Sequence, residues 1–98
     1  MKNESRVRED LERIKRYYLA ASYCEKRSKL VTANDFKVML EKYKSVIQTA
    51  PKRLQEVFNG IYVYGKTQKT IAEELSKSEG YIQILHKRLI RLFIEKLY

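Results

Sequence analysis

The sequence predicts an all-α fold. Glycine and proline are scarce, with three Gly and one Pro in 98 residues. Runs of alternating β-branched residues are few, and apolar residues recur three and four positions apart along most of the chain. At this length the chain holds one domain, or one domain with a helical extension, and no third module fits. The expected order is a helical N-terminal hairpin over residues 1–49 followed by a helical bundle over residues 50–98.

The first helix is expected from Ser5 to about Lys29. Val7, Leu11, Ile14, Tyr18 and Ala21 are spaced alternately by four and three, which draws one apolar stripe, while Arg6, Arg8, Arg13, Lys15 and Arg16 take the other faces. That stripe is either a dimer seam or a face packed on the same chain, and too few repeats are present to decide. Leu30 to Asn34 reads as a connector, with Thr32 or Asn34 as the cap of a second helix from Asp35 to about Thr49. Phe36, Leu40, Tyr43 and Ile47 form its apolar face, flanked by Met39 and Val46. Pro51 marks the next boundary, because proline suits a helix's first turn and disfavours helix in the residue before it. A third helix follows from Pro51 to about Tyr64, with Leu54, Val57, Phe58, Ile61 and Tyr62 facing inward. Asn59-Gly60 is a weak spot within it, and Gly65 suits a left-handed C-terminal cap.

Lys and Arg number 21 against 12 Asp and Glu, a formal net charge of +9 that favours a polyanionic partner without identifying it. The excess is spread along the chain, with 12 basic and 7 acidic residues up to Ala50 and 9 and 5 after it. Cys24 is the only cysteine, so no internal disulfide forms and a reducing, cytoplasmic setting is expected. MKNESRVRED lacks the apolar core of a signal peptide, and no apolar run reaches the roughly 18 residues of a membrane span. Enzymatic chemistry is not expected. His86 is the single histidine, placed for a solvated or phosphate-contacting role. No paired carboxylates or metal-ligand spacing recur near it, and Gly60, Gly65 and Gly80 are too scattered to cradle a phosphate. No cofactor or metal is therefore expected. The eight tyrosines fit core positions better than base-stacking platforms, notably Tyr17, Tyr18, Tyr43 and Tyr62.

The segment with a functional pattern is Thr67 to Arg91, TQKTIAEELSKSEGYIQILHKRLIR. Ile71 and Leu75 bracket the small Ala72, as two closely crossing helices require, and Ile82 and Leu85 point back onto the same core. Ser78 before Glu79 suits the start of a second helix, its hydroxyl accepting from a first-turn amide while the carboxylate complements the helix dipole. This spacing fits a helix-turn-helix whose second helix enters a DNA major groove. It also fits a purely structural hairpin, and Ser76-Lys77 departs from the Gly-apolar pair usual in the turn. The basic run Lys87, Arg88, Arg91 falls in the same register. Tyr81, in the first turn of the second helix, is placed to meet the sugar-phosphate backbone.

From Ala50 onward, APKRLQEVFNGIYVYGKTQKTIAEELSKSEGYIQILHKRLIRLF resembles the C-terminal domain of bacterial sigma factors. The likeness runs through Leu54, Val57 and Phe58, Tyr64-Gly65-Lys66-Thr67, Ile71-Ala72-Glu73-Glu74-Leu75, Ser78-Glu79 and the trailing basic helix. Among small proteins built on that domain, the chain is most similar to phage late-gene transcriptional activators of the ArpU and RinA type. The resemblance covers about half of the chain and implies a sigma-like helix-turn-helix bundle. It implies base contacts from Glu79, Gln83 and Ile84 in the first two turns of the second helix, where Gly80 has no side chain to offer. Phosphate contacts are expected from Lys66, Thr67, Lys69, Ser78, Tyr81, Lys87, Arg88 and Arg91. The implied function is a sequence-specific transcriptional regulator, a phage or mobile-element late-gene activator acting with host RNA polymerase. Double-stranded DNA, RNA polymerase and a second copy of the chain are its expected partners. The alternative is a small basic helical module that docks an acidic protein and does not bind DNA.

Overall fold

The computed structural model of the protein describes residues 2–23 and 34–98. Within them, α1 (Lys2–Tyr23), α2 (Asn34–Gln48), α3 (Lys52–Phe58), α4 (Gln68–Leu75) and α5 (Glu79–Leu97) are α-helices, and Asn59–Val63 continues α3 as a π-helical segment. No strand occurs among the described residues. The expected continuation of the first helix to Lys29, the connector from Leu30, the Thr32 cap and Cys24 lie outside them.

Apolar periodicity located the core faces. Val7, Leu11 and Ile14 are each 0 % exposed, and with Phe36, Leu40, Tyr43, Leu54, Val57, Phe58, Ile82, Leu89 and Phe93 they belong to one hydrophobic cluster. The α1 stripe therefore packs within the chain. Its main neighbours are the π-helical segment and α5, while α2 lies on α3 and α5. The two N-terminal helices meet each other chiefly through side chains, Tyr17 against Phe36 at 5.2 Å between ring centroids and Arg13 over the same ring at 5.5 Å. Burying each aliphatic side chain of the α1 stripe stabilises the fold by roughly 1.5–3 kcal/mol relative to exposure.

Two boundaries differ from expectation. Pro51 precedes α3 as its cap residue, with φ −54° and ψ 145°, because an extended backbone there lets its carbonyl accept from Leu54 and Gln55. Gln55 then turns back to close α2, its Nε2 donating to the carbonyls of Ile47 and Ala50 at 3.0 and 3.1 Å. The third helix is not uniform either, since Tyr64 N–H reaches Asn59 O, five residues back, at 2.9 Å. This wider turn carries Gly60 against α4, where an added Cβ would lie 2.7 Å from Ile71 Cδ1. Asn59-Gly60 is thus a contact point between elements. Gly65 has φ +69°, the expected left-handed cap, and Lys66 N–H closes it on Gly60 O at 2.8 Å.

Candidate nucleic-acid interface

Helices α4 and α5 are joined by a three-residue turn, Ser76 to Ser78. Each helix begins with a hydroxyl cap: Thr67 Oγ1 accepts from Thr70 N–H and Ser78 Oγ from Tyr81 N–H, both at 3.1 Å. Such caps satisfy one of the free amides at a helix start and are worth about 1 kcal/mol each. Ser76 has φ 55° and ψ 44°, left-handed, and closes α4 by bringing Lys77 N–H to Ala72 O at 2.8 Å. The position often taken by glycine is thus held by a serine under mild backbone strain. Ile71, Ala72, Ile82 and Leu85 are buried where the helices meet, Ala72 at 4 % exposure, and Leu75 packs beside them.

The buried stripe of α5, Ile82, Leu85, Leu89, Ile90 and Phe93, leaves Glu79, Gly80, Gln83, Ile84, Lys87, Arg88 and Arg91 exposed. Ile84 stands out as an aliphatic side chain with 51 % exposure. Among the described residues, no ion pair involves Lys69, Lys77, Lys87, Arg88 or Arg91. Lys77 Nζ lies 5.7 Å from the ring centroid of the half-buried Tyr81. Glu79, Gln83, Ile84, Lys87, Arg88 and Arg91 therefore share one solvent-facing side, with Lys69 exposed on the neighbouring helix.

Three expected contacts have other duties. Thr67 and Ser78 each use a lone pair in capping, and the Thr67 hydroxyl is also hydrogen-bonded to the Thr70 hydroxyl at 3.0 Å. Lys66 is ion-paired, its Nζ 2.9 and 3.0 Å from the two carboxylate oxygens of Glu74 and 5.6 Å from the Tyr64 ring centroid. A phosphate contact by Lys66 requires that pair to open.

His86 corrects the sequence reading. It is half-buried, stacked on Tyr62 with ring centroids 5.8 Å apart, and its Nε2 is hydrogen-bonded to the Tyr62 hydroxyl. Burial, reinforced by the Arg8 guanidinium, holds the imidazole below its ordinary value. Burial also pushes Tyr62 up to about 12, helped by Glu12, so the bond joins a neutral phenol to a neutral imidazole. The register that turns Leu85 and Leu89 inward brings His86 to the edge of the core rather than into solvent.

A polar cluster around Asp10, between Arg8 and Glu12 on α1, was not foreseen from the sequence. Asp10 is 5 % exposed. Its Oδ2 accepts from Tyr43 at 2.8 Å and Tyr98 at 3.2 Å, and its Oδ1 lies 3.9 Å from Arg6 Nε. Two phenols thus satisfy a carboxylate that burial would otherwise penalise, and burial followed by the bond to Asp10 raises Tyr43 above its ordinary range. The partners are 33 and 88 positions away, beyond any local pattern.

Among the described residues, no group of His, Cys, Asp and Glu is placed to hold a metal ion, and no helix is long and apolar enough to cross a membrane. The chemistry offered by the exposed side of α5 is cations without an ion pair among the described residues, an amide, a carboxylate and one aliphatic group. No family model, no curated protein and no solved structure matches the chain.

Proposed function

We propose that the protein is a sequence-specific double-stranded-DNA-binding regulator of transcription, with α4 and α5 as its helix-turn-helix. One observation carries the reading: α5 opposes its buried stripe with a solvent-facing side whose cations Lys87, Arg88 and Arg91 have no acidic partner among the described residues. Leaving cations unneutralised on one face favours a polyanion and supplies the salt-dependent part of its affinity. The three-residue turn and the buried Ala72 at the helix contact support the same motif. Phosphate contacts from Lys87, Arg88, Arg91, Lys69, Ser78, Thr67 and Tyr81 set position, while Gln83, Glu79 and Ile84 face the bases. The role as a phage or mobile-element late-gene activator working with RNA polymerase rests on the resemblance to sigma-like activators, whereas the homodimer was expected from the α1 stripe, whose Val7, Leu11 and Ile14 are buried within the chain.

Selection of bound duplexes from random DNA, followed by titration at several salt concentrations, tests this reading. A recovered consensus, bound more tightly than scrambled duplex, is the expected result. Gln83→Ala should then cost about 1–3 kcal/mol on the selected site and little on scrambled DNA. Binding without any sequence preference would favour the acidic-partner module instead.

A further inference from the structure

Gly80 lacks the structural reasons that explain the other two glycines. Gly65 has a positive φ and Gly60 lies against Ile71, whereas Gly80 stands exposed in the first turn of α5 and an added Cβ there meets nothing within 4 Å. Its φ is not positive. Glycine at such a place weakens the helix relative to alanine without improving any internal contact. One turn later Ile84 is 51 % exposed. Gly80, Ile84, Lys87 and Arg91 follow one another at intervals of four, three and four residues, so they form a single ridge along α5. That ridge lies opposite the stripe of Ile82, Leu85, Leu89 and Phe93. Along it the surface changes from bare backbone to an aliphatic group and then to two cations without ion pairs among the described residues. A DNA major groove offers the matching surfaces, a floor carrying thymine methyl groups between phosphate-lined walls.

We propose that Gly80 lets the first turn of α5 lie close against the major-groove floor, and that Ile84 packs there on a thymine C5-methyl. This rests on the DNA-binding reading above and assigns the kind of base the helix selects. Glycine is the residue that permits such an approach, since any Cβ would hold the backbone away.

The test compares the wild-type chain, Gly80→Ala and Ile84→Ala on the duplex recovered by selection and on copies in which single thymines are replaced by deoxyuridine. Gly80→Ala should melt a few degrees higher, as a helical Gly→Ala change does. It should nevertheless bind about tenfold more weakly, because the added methyl overpacks a close contact. Removing the thymine methyl at one or two positions should weaken wild-type binding about fourfold, the effect of one buried methyl-sized group. Ile84→Ala should be indifferent to the same replacement. Equal affinity of Gly80→Ala and wild type overturns the close approach, and insensitivity of wild type to every deoxyuridine overturns the role of Ile84. A change of mass in solution for Ile84→Ala, with affinity retained, would assign the ridge to a second copy of the chain. If the wild-type chain selects no duplex at all, the DNA-binding reading itself falls and takes this assignment with it.

Discussion

Helices α1 and α5 are the longest described, at 22 and 19 residues, and both are rich in Lys and Arg, yet they dispose of their charge differently. In α1, Arg8 pairs with Glu4 at 3.2 Å, Arg6 faces the buried Asp10 at 3.9 Å, and Arg13 lies over Phe36. Two of these are contacts between residues four apart, so the helix neutralises part of its own field. In α5, Lys87, Arg88 and Arg91 have no such partner among the described residues. Counting basic residues would rank α1 as the better polyanion binder. Pairing narrows that difference, because Arg6 and Arg8 must lose a partner to gain another, whereas Lys15 and Arg16, like Lys87, Arg88 and Arg91, have no ion pair among the described residues.

The largest expected effect tests what α1 does instead. Leu11→Glu combined with Ile14→Glu places two carboxylates where both side chains are 0 % exposed, and burying an unpaired charge costs several kcal/mol per site. The variant should be largely unfolded by circular dichroism and by denaturant titration. A folded chain of unchanged helicity would show that α1 is dispensable to the core and would break the contrast.

Binding comes next. Lys87→Ala and Arg88→Ala should each weaken binding to selected and scrambled duplexes alike, and make the slope of log K against log salt shallower by about 0.9 for each phosphate that is no longer neutralised. Arg8→Ala should leave that slope nearly unchanged, since the Glu4 pair already holds its charge. Equal slopes for all three variants would erase the distinction between the helices.

Ser76→Gly examines the turn leading into α5. Relief of the left-handed strain at φ 55°, offset by the greater freedom of glycine in the unfolded chain, should raise stability by about 0.5–1 kcal/mol. Affinity should not change. A drop in stability would mean that the serine side chain contributes more than its backbone costs.

The smallest effect is expected at His86, on the inner side of α5. Its pKa is lowered by burial and then by Arg8, so below the ordinary value of 6.5 the unfolded chain binds more protons than the folded one. Stability from this group is therefore complete above that value and declines as pH falls through the folded value. Chemical denaturation across that window should show the decline in the wild type and a flatter profile in His86→Gln. Identical profiles would place the imidazole in solvent.

How far the sequence could be read depended on the distance between interacting residues. Ser78 as the cap of α5 and Gly65 as a left-handed terminus were legible because each acts on backbone within a few residues of itself. Thr67, expected at a phosphate, also caps α4 by the same local rule. The left-handed backbone at Ser76 was legible only from the register of the turn, which usually places glycine there, since serine itself carries no such signal. Gly60 resembled a flaw in a helix, and only the fold places Ile71, eleven positions on in sequence, beside it. On the candidate interface, exposure of Gln83, Ile84, Lys87, Arg88 and Arg91 followed from the period of the buried stripe, whereas the Lys66–Glu74 pair and the inward turn of His86 did not.

By itself the sequence determined the all-helical class, the inward faces of the helices and some helix ends, Ser78 and Gly65 among them, since these depend on a repeat near 3.6 residues and on hydrogen bonds between near neighbours. Only the tertiary structure decided that the α1 stripe packs within the chain, that Asp10 is held by Tyr43 and Tyr98, and which cations remain unpaired. Those outcomes depend on side chains brought together from distant positions, where the energy of an interaction is set by three-dimensional packing and leaves no periodic trace along the chain.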